Sequence, residues 1–390
     1  MLLKKMRTMF FQFDKIKASL ALLLPLLAVS CVITTTEKPA EVHYVEWRQP
    51  PYFPTVTNIP ASNRLTAEGI LLGRYLFYDS RIGGKHAADS MLSCSACHLQ
   101  EHGFDAGAAN PRLKDGKMRG AAGLYTAHVP LPLANIAYNT RGLGWASALE
   151  YPQGMLETFI ANTLLDSAEF AATRQDITDR IASIDLYPPL FQAAFGTPTV
   201  TFDRICLALG QFVRSLVSSR SKFDRYLSGE IQLSEQEMKG YVLFTTEEGA
   251  DCFHCHGGSG NLLFTTYDNL INGLDAPEAF TDPYDRFRIT RQEADRGAYR
   301  VPSLRNIAYT APYMHDGRFA TLDEVIDQYS ENVRLSPYIS PLMHHANEGG
   351  VQLTQAEKNC LKAFLLTLGD EEFIRNPDFS NPFVQDTLLP

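Results

Sequence analysis

The sequence predicts a mainly α-helical protein built as two tandem halves with long loops, and three observations carry that expectation. The pattern Cys-x-x-Cys-His is written twice, as CSACH at 94–98 and CFHCH at 252–256. Each copy follows a similar helical phrase, GRYLF at 73–77 and GYVLF at 240–244, which reads as an internal duplication. Apolar residues recur at helical spacing elsewhere, while long strands are not evident. A chain of 390 residues exceeds one typical domain, so two of ordinary size are expected.

The elements follow in order. Lys4, Lys5, Arg7, Lys15 and Lys17 precede an apolar run, ASLALLLPLLAVS, that is too short to span a bilayer comfortably and reads as an export signal. The run ends in AVSC, which resembles the lipobox at which a bacterial signal is cut and the cysteine acylated. Residues 1–31 are therefore expected to be a lipoprotein-type signal with Cys31 as the lipidation site, and 32–50 a linker. A plain secretory signal with an incidental Cys31 is the alternative. No later segment has eighteen uninterrupted apolar residues, so membrane attachment is expected through this anchor alone, on a periplasmic protein. A helix is expected where Phe202, Ile205, Leu209, Phe212 and Leu216 recur, with SSRSKFDRYLSGE as its polar exit and the boundary between halves there. Ser234 and Glu237 form a capping-box pattern that starts a second helix. Thr354 and Glu357 start a third, with Leu361, Phe364, Leu365 and Leu368 on its apolar side and Gly369 as its stop. The halves span 51–220 and 221–375, and 376–390 is a tail.

Composition narrows the function. With 45% apolar residues, 20% charged and a net charge of -9, the chain can bury a core and has no basic excess to attract nucleic acid. Seven cysteines face an oxidising compartment. Setting aside Cys31 and the four motif thiols leaves Cys206 and Cys360, each in a helical pattern and read as a buried thiol rather than half of a bridge.

In Cys-x-x-Cys-His the two thiols are spaced to form thioethers with the vinyl groups of one haem, and the adjacent His ligates its iron. A redox Cys-x-x-Cys needs no following His, and both copies have one. A zinc set of Cys94, Cys97, His98 and His102 is poor geometry, because His directly after Cys cannot easily chelate the same small ion. Two covalently attached c-type haems are therefore expected, on Cys94, Cys97 and His98 and on Cys252, Cys255 and His256, in cytochrome c-like domains. A reaction needs one iron with an open position, so the sixth ligands decide between enzyme and carrier.

The stretch VPSLRNIAYTAPYMHDGRFATLDEVIDQY at 301–329 resembles the signature that follows the second haem in bacterial di-haem cytochrome c peroxidases. LLGRYLFYDSRI, LANIAYN with Trp145, and FDRYLSGE resemble further motifs of that family, and the resemblance covers roughly residues 50–375. Its wording is most similar to the branch containing MauG and the methanobactin-associated di-haem enzyme, which oxidise tryptophan in a partner protein. The resemblance implies that the N-terminal domain holds the peroxidatic haem on His98 and the C-terminal domain an electron-transfer haem on His256. It implies Tyr329 as the distal ligand of the second iron, where ordinary peroxidases use Met; Met314 and Met343 are the alternatives. Trp145 falls where the family has a tryptophan relay between the haems. Glu169 falls on the distal acid-base Glu, with Phe159 and Thr163 in place of the family's Gln and Pro. A calcium ion between the domains is implied through the backbone carbonyls of Thr310 and Pro312, with Val129 where the family has Asn. Arg305, Asn306, His315 and Asp316 belong to the second signature and are read as structural. His254, His344 and His345 are read as solvent-facing.

The expected function is peroxide reduction at the haem of His98, with electrons relayed through the haem of His256 from an external cytochrome c or cupredoxin. Glu169 and Trp145 are the expected catalytic residues. A MauG-like oxidation of a partner protein's tryptophan is the second reading, which Tyr329 favours, and a non-enzymatic di-haem electron carrier is the third. Monomer and homodimer are both open.

Overall fold

Thr66 opens the first helix, its hydroxyl accepting the Gly69 amide at 3.0 Å, and α1 runs Ala67–Tyr78 in this computed structural model. The structure describes residues 42–84, 91–147, 149–150, 155–257 and 260–385; the signal, Cys31 and the first part of the 32–50 linker lie outside them. Four helices follow in the first half: α2 Met155–Leu165, α3 Arg174–Ala182, α4 Tyr187–Phe195 and α5 Phe202–Ser215. The second half continues with α6 Lys222–Leu227, α7 Glu235–Phe244, α8 Phe253–His256, α9 Phe287–Thr290, α10 Leu322–Glu331 and α11 Gln355–Leu366. Short helices α12 Glu371–Ile374 and α13 Pro382–Gln385 end it. Strands among the described residues are two-residue antiparallel pairs: β1 Leu113–Lys114 with β2 Lys117–Met118, β3 Gly142–Leu143 with β4 Leu149–Glu150, and β5 Asn269–Leu270 with β6 Tyr299–Arg300. The mainly helical expectation holds. Among the described residues no helix is long and apolar enough to cross a membrane.

The apolar residues gather into two principal cores. One draws on α1, α2, α3, α4 and α5; the other draws on α6, α7, α10 and α11 with Phe264 and Tyr313. Each is centred on a crossing of two helices that pack at a glycine, α1 on α5 and α7 on α11. A Cβ added at Gly73 would lie 2.0 Å from the Ala208 carbonyl oxygen and 2.8 Å from Phe212 Cβ. One added at Gly240 would lie 1.9 Å from the Cys360 carbonyl oxygen and 2.8 Å from Phe364 Cβ. These are the glycines of GRYLF and GYVLF, so the repeated phrase makes the same close approach twice. Alanine at either position gains about 1 kcal/mol of helix propensity but overpacks rigid backbone at about 3 kcal/mol. Gly73→Ala and Gly240→Ala are each expected to lose about 2 kcal/mol net in denaturant unfolding, and a neutral result would refute the shared crossing.

Both capping boxes form as the spacing predicts, Ser234 with Glu237 and Thr354 with Glu357. Cys206 and Cys360 are free and buried in α5 and α11. Three expectations need correction. The segment after α5 is not simply a polar exit: Ser221 and Asp224 form another capping box that starts α6. Its Phe223 is fully buried against Tyr241, Phe264 and Phe364. Gly369 does not stop α11, because the Thr367 hydroxyl donates to the Phe364 carbonyl at 2.6 Å and closes the last turn earlier. Gly369 instead faces the Tyr309 ring, where an added Cβ would lie 3.0 Å from Tyr309 Cε2. The described part of the 376–390 tail is a strap across the first half. Arg74 Nε donates to the Ser380 carbonyl and Tyr78 Oη to the Phe379 carbonyl, both at 2.7 Å. Just before it, Phe373 joins the first core, and the Phe373 and Phe379 rings flank Phe104 at 5.7 and 6.5 Å.

Candidate active site

The first Cys-x-x-Cys-His copy begins in a 3-10 turn, Cys94–Ala96. The His98 amide donates to the Cys94 carbonyl at 2.9 Å, and His98 Nδ1 lies 2.8 Å from the carbonyl oxygen of Phe104. The second copy forms α8, where the His256 amide donates to the Cys252 carbonyl at 3.0 Å and His256 Nδ1 lies 3.2 Å from the carbonyl oxygen of Phe264. The two acceptors are alike. Phe104 and Phe264 are fully buried, and both are left-handed, at φ 62° and 53°.

A carbonyl can only accept, so Nδ1 carries the proton in each ring and the Nε2 lone pair is left free. Burial pushes both imidazoles down to about 4, which keeps them neutral near pH 7. A neutral imidazole held through Nδ1 is the form that ligates a metal through Nε2. The donor chemistry at both motifs therefore fits a haem iron.

A cavity of about 220 Å³ opens on the second motif. Cys252, Cys255 and His256 line it, joined from distant segments by Trp145, Thr310, Pro312 and Tyr329. Met314 and Met343 line it too. Tyr329 is half-buried on α10, and its phenol oxygen accepts from Asn272 Nδ2 at 2.8 Å. Burial, reinforced by the charges of Cys255 and Cys252 and opposed by Asn272, pushes its hydroxyl up to about 12.

Arg300 provides a second test of fit that the sequence reading missed. It is 7% exposed, lines the cavity, and pairs with no carboxylate among the described residues. Its Nε has no hydrogen-bond partner, and burial pushes the guanidinium down to about 10. A buried cation without a counter-charge costs several kcal/mol. The propionates of a haem are the anions such a site lacks.

Trp145 borders both motifs. With Cys97 it packs on the small cluster of Ala106, Met118 and Val129, and it also lines the second cavity. Its Nε1 donates to the Val129 carbonyl at 2.8 Å, and its own carbonyl accepts the Arg300 amide at 2.7 Å. His315 stands 6.4 Å from the indole and stacks on Tyr299 at 3.7 Å. Tyr299 Oη donates to Asp282 at 2.6 Å, and His128 Nε2 lies 2.5 Å from the same carboxylate oxygen.

Glu169 belongs to the first motif's surroundings, not to the second cavity. It sits in the turn after α2, where its carbonyl accepts the Ala121 amide at 2.7 Å. Burial first, then the charge of Asp166, pushes its carboxyl up to about 7. Its charge reaches both first-motif thiols, which burial already pushes up to about 12. Phe159, on α2, turns its ring toward Gly144, where an added Cβ would lie 3.3 Å from Phe159 Cε2.

Arg305 is 1% exposed, pairs with Asp224 and donates to the Leu262 carbonyl at 2.8 Å. Asn306 donates to Ser218 at 3.1 Å and accepts the Asp370 amide at 2.9 Å. Asp316 pairs with Arg318 at 2.6 Å. Val129 is an apolar core residue, so no side-chain oxygen meets Thr310 and Pro312 at that position. His254 and His344 are not simply solvent-facing, because Asp251 binds both.

A family described as di-haem cytochrome c peroxidase matches residues 67–232. The chain is 30% identical over 316 residues to the methylamine utilization protein MauG of Methylorubrum extorquens, covering 80% of this chain and 81% of that one. The chain belongs to the di-haem cytochrome c peroxidase family. It is also 29% identical over 320 residues to the cytochrome c551 peroxidase of Nitrosomonas europaea, covering 80% and 82% of the two chains. A crystal structure of a MauG-like protein associated with microbial copper homeostasis superposes with a TM-score of 0.73 at 35% identity, covering 87% of this chain and 99% of that one. The di-haem peroxidase BthA of Burkholderia thailandensis, at 19% identity and a TM-score of 0.63, shares the fold. Membership in this di-haem family implies two c-type haems, and the two Cys-x-x-Cys-His sites offer the donors to hold them.

Proposed function

We propose that the protein is an exported di-haem peroxidase that reduces hydrogen peroxide to two waters, consuming two protons and two electrons from an external donor. The single observation that carries this reading is the doubled arrangement of a neutral, carbonyl-held His beside two half-buried thiols. When bound, the two haems supply the iron that takes peroxide and the storage of the two oxidising equivalents. In this reading 51–220 and 221–375 act as two haem-holding halves, and the shared glycine crossings support that division. His98 and His256 present Nε2 to the two irons. Glu169, with a carboxyl that ionises near neutrality, accepts a proton from one peroxide oxygen and returns it to the other as water leaves. Trp145, bordering both motifs, offers a π system between them. Arg300 would hold a propionate of a haem bound at the second motif.

Tyr329, which lines the same cavity as Cys252, Cys255 and His256, would offer a hard oxygen ligand, which lowers the potential of a haem relative to Met. That residue, with the 35% identity to a MauG-like structure, favours a specific donor, the oxidisable side chain of a partner protein, over a small cytochrome or cupredoxin. The export signal and Cys31 support a periplasmic, lipid-anchored location.

The test is an optical and EPR titration of the purified holoprotein with peroxide. One resting high-spin ferric signal that peroxide removes is expected; two low-spin signals indifferent to peroxide, before and after partial reduction, would leave an electron carrier. Tyr329→Met is expected to raise the midpoint potential of the second haem by on the order of 100 mV. An unchanged potential would pass the ligand role to Met314 or Met343.

A further inference from the structure

Outside the residues used so far, the turn before the second motif and the loop at 340–346 bring together two imidazoles and two carboxylates. His254 Nδ1 lies 2.6 Å from Asp251 Oδ1, and His344 Nδ1 lies 3.2 Å from Asp251 Oδ2. The two rings meet edge to face with centroids 4.6 Å apart. Glu247 Oε1 is 3.6 Å from His254 Nε2. One ligand atom from each of Glu247, His254 and His344 falls within 4.8 Å of the others.

We propose that Glu247, His254 and His344 bind one first-row divalent cation of the zinc class, with Asp251 holding both imidazoles from behind. Asp251 is the residue that makes this a site. Its side chain is 5% exposed, and among the described residues its ion-pair partners are the two His rings rather than any Lys or Arg. A carboxylate that meets Nδ1 of both rings orients them and leaves each Nε2 available to a metal, the carboxylate-histidine-metal arrangement. Two nitrogens and one carboxylate oxygen suit zinc better than calcium or magnesium, which prefer oxygen alone. Tetrahedral ligation at about 2.0–2.1 Å needs donors about 3.4 Å apart, so the spread of up to 4.8 Å must contract by up to about 1.4 Å. The side chains that must move are exposed, Glu247 at 61% and His344 at 40%. His254 stands between Cys252 and Cys255, and His344 follows Met343 on the cavity wall. The ion therefore pins the loop that borders the second cavity to the segment that attaches its haem.

The experiment uses the full holoprotein, stripped with EDTA, dialysed, and titrated with zinc sulfate in calorimetry with zinc counted by equilibrium dialysis. One zinc per chain is expected, weakened at least tenfold by His344→Ala and by Glu247→Gln, and unchanged by His43→Ala as a control for stray surface histidines. No stoichiometric zinc, or equal binding in the wild type and both site variants, overturns the proposal. Haem is counted separately on the same sample, so a missing haem overturns the peroxidase reading while a missing zinc overturns only the ion site.

Discussion

Glu169→Gln is expected to slow peroxide turnover by about 10²–10⁴-fold, the usual contribution of a positioned acid-base group, while both haems remain attached. The sharper result is the pH profile. Burial raises the Glu169 carboxyl from its ordinary 4.5 to about 7, so the carboxylate needed to take the first proton forms only as pH rises through neutrality. Wild-type rate should climb with a midpoint near 7 and the variant should be flat across that window. The sign for stability is opposite. A carboxyl whose folded value lies above its unfolded value binds more protons when folded, so its contribution to stability falls as pH rises from about 4.5 to 7. Glu169→Gln should flatten that slope too. A variant that is slow yet keeps the midpoint near 7 would assign the titration to another group.

Arg214→Met is expected to be the most destabilising single change, at about 3–5 kcal/mol. Arg214 is fully buried on α5, where its guanidinium meets Glu157 of α2 at 2.5 and 2.9 Å and Asn58 at 2.8 Å. Removing it leaves the largely buried Glu157 carboxylate without its counter-charge, held by hydrogen bonds such as that from Asn63 at 2.6 Å. Burial pushes the Glu157 carboxyl up, but Arg214, joined by Asn63 and a backbone hydrogen bond, outweighs it and holds the group below its ordinary value. The pair therefore stabilises above about pH 4.5 and loses that contribution as pH falls through the depressed value. Changing both partners, with Glu157→Leu added, should recover most of the loss, because an apolar pair needs no compensation. Guanidinium unfolding of both variants checks this, and equal destabilisation in the single and double variants would refute it. Since α2 leads directly into the turn that carries Glu169, Arg214→Met should also lower peroxide turnover.

What was legible in the chain is what local chemistry determines. Cys-x-x-Cys-His is a covalent pattern within five residues, and a capping box is satisfied within four. The periodicity of Phe202, Ile205, Leu209 and Phe212 needs no partner to be visible, so α5 was readable. What escaped depends on partners far along the chain. Phe223 looked like part of a polar exit because the rings that bury it come from Tyr241, Phe264 and Phe364. Arg300 is one Arg among many until the cavity shows that nothing offsets its charge. His254 and His344 gained meaning only when Asp251 was found between them. Tyr329 could be named from a resemblance, but only the fold puts it in one cavity with Cys252, Cys255 and His256.

The strap over Phe104 has a consequence for how the protein is made. A ribosome delivers Cys94, Cys97 and His98 early, whereas Phe373 and Phe379, which flank the phenylalanine whose carbonyl orients His98, arrive almost last. Thioether formation at the first motif needs only the two thiols, so it can precede the arrival of those rings. The first Cys-x-x-Cys-His site is thus available early and completed late, and a fragment ending before Phe373 would hold His98 through a carbonyl that has lost its apolar cover. Premature termination near the C-terminus is then a lesion of the first half rather than of the second.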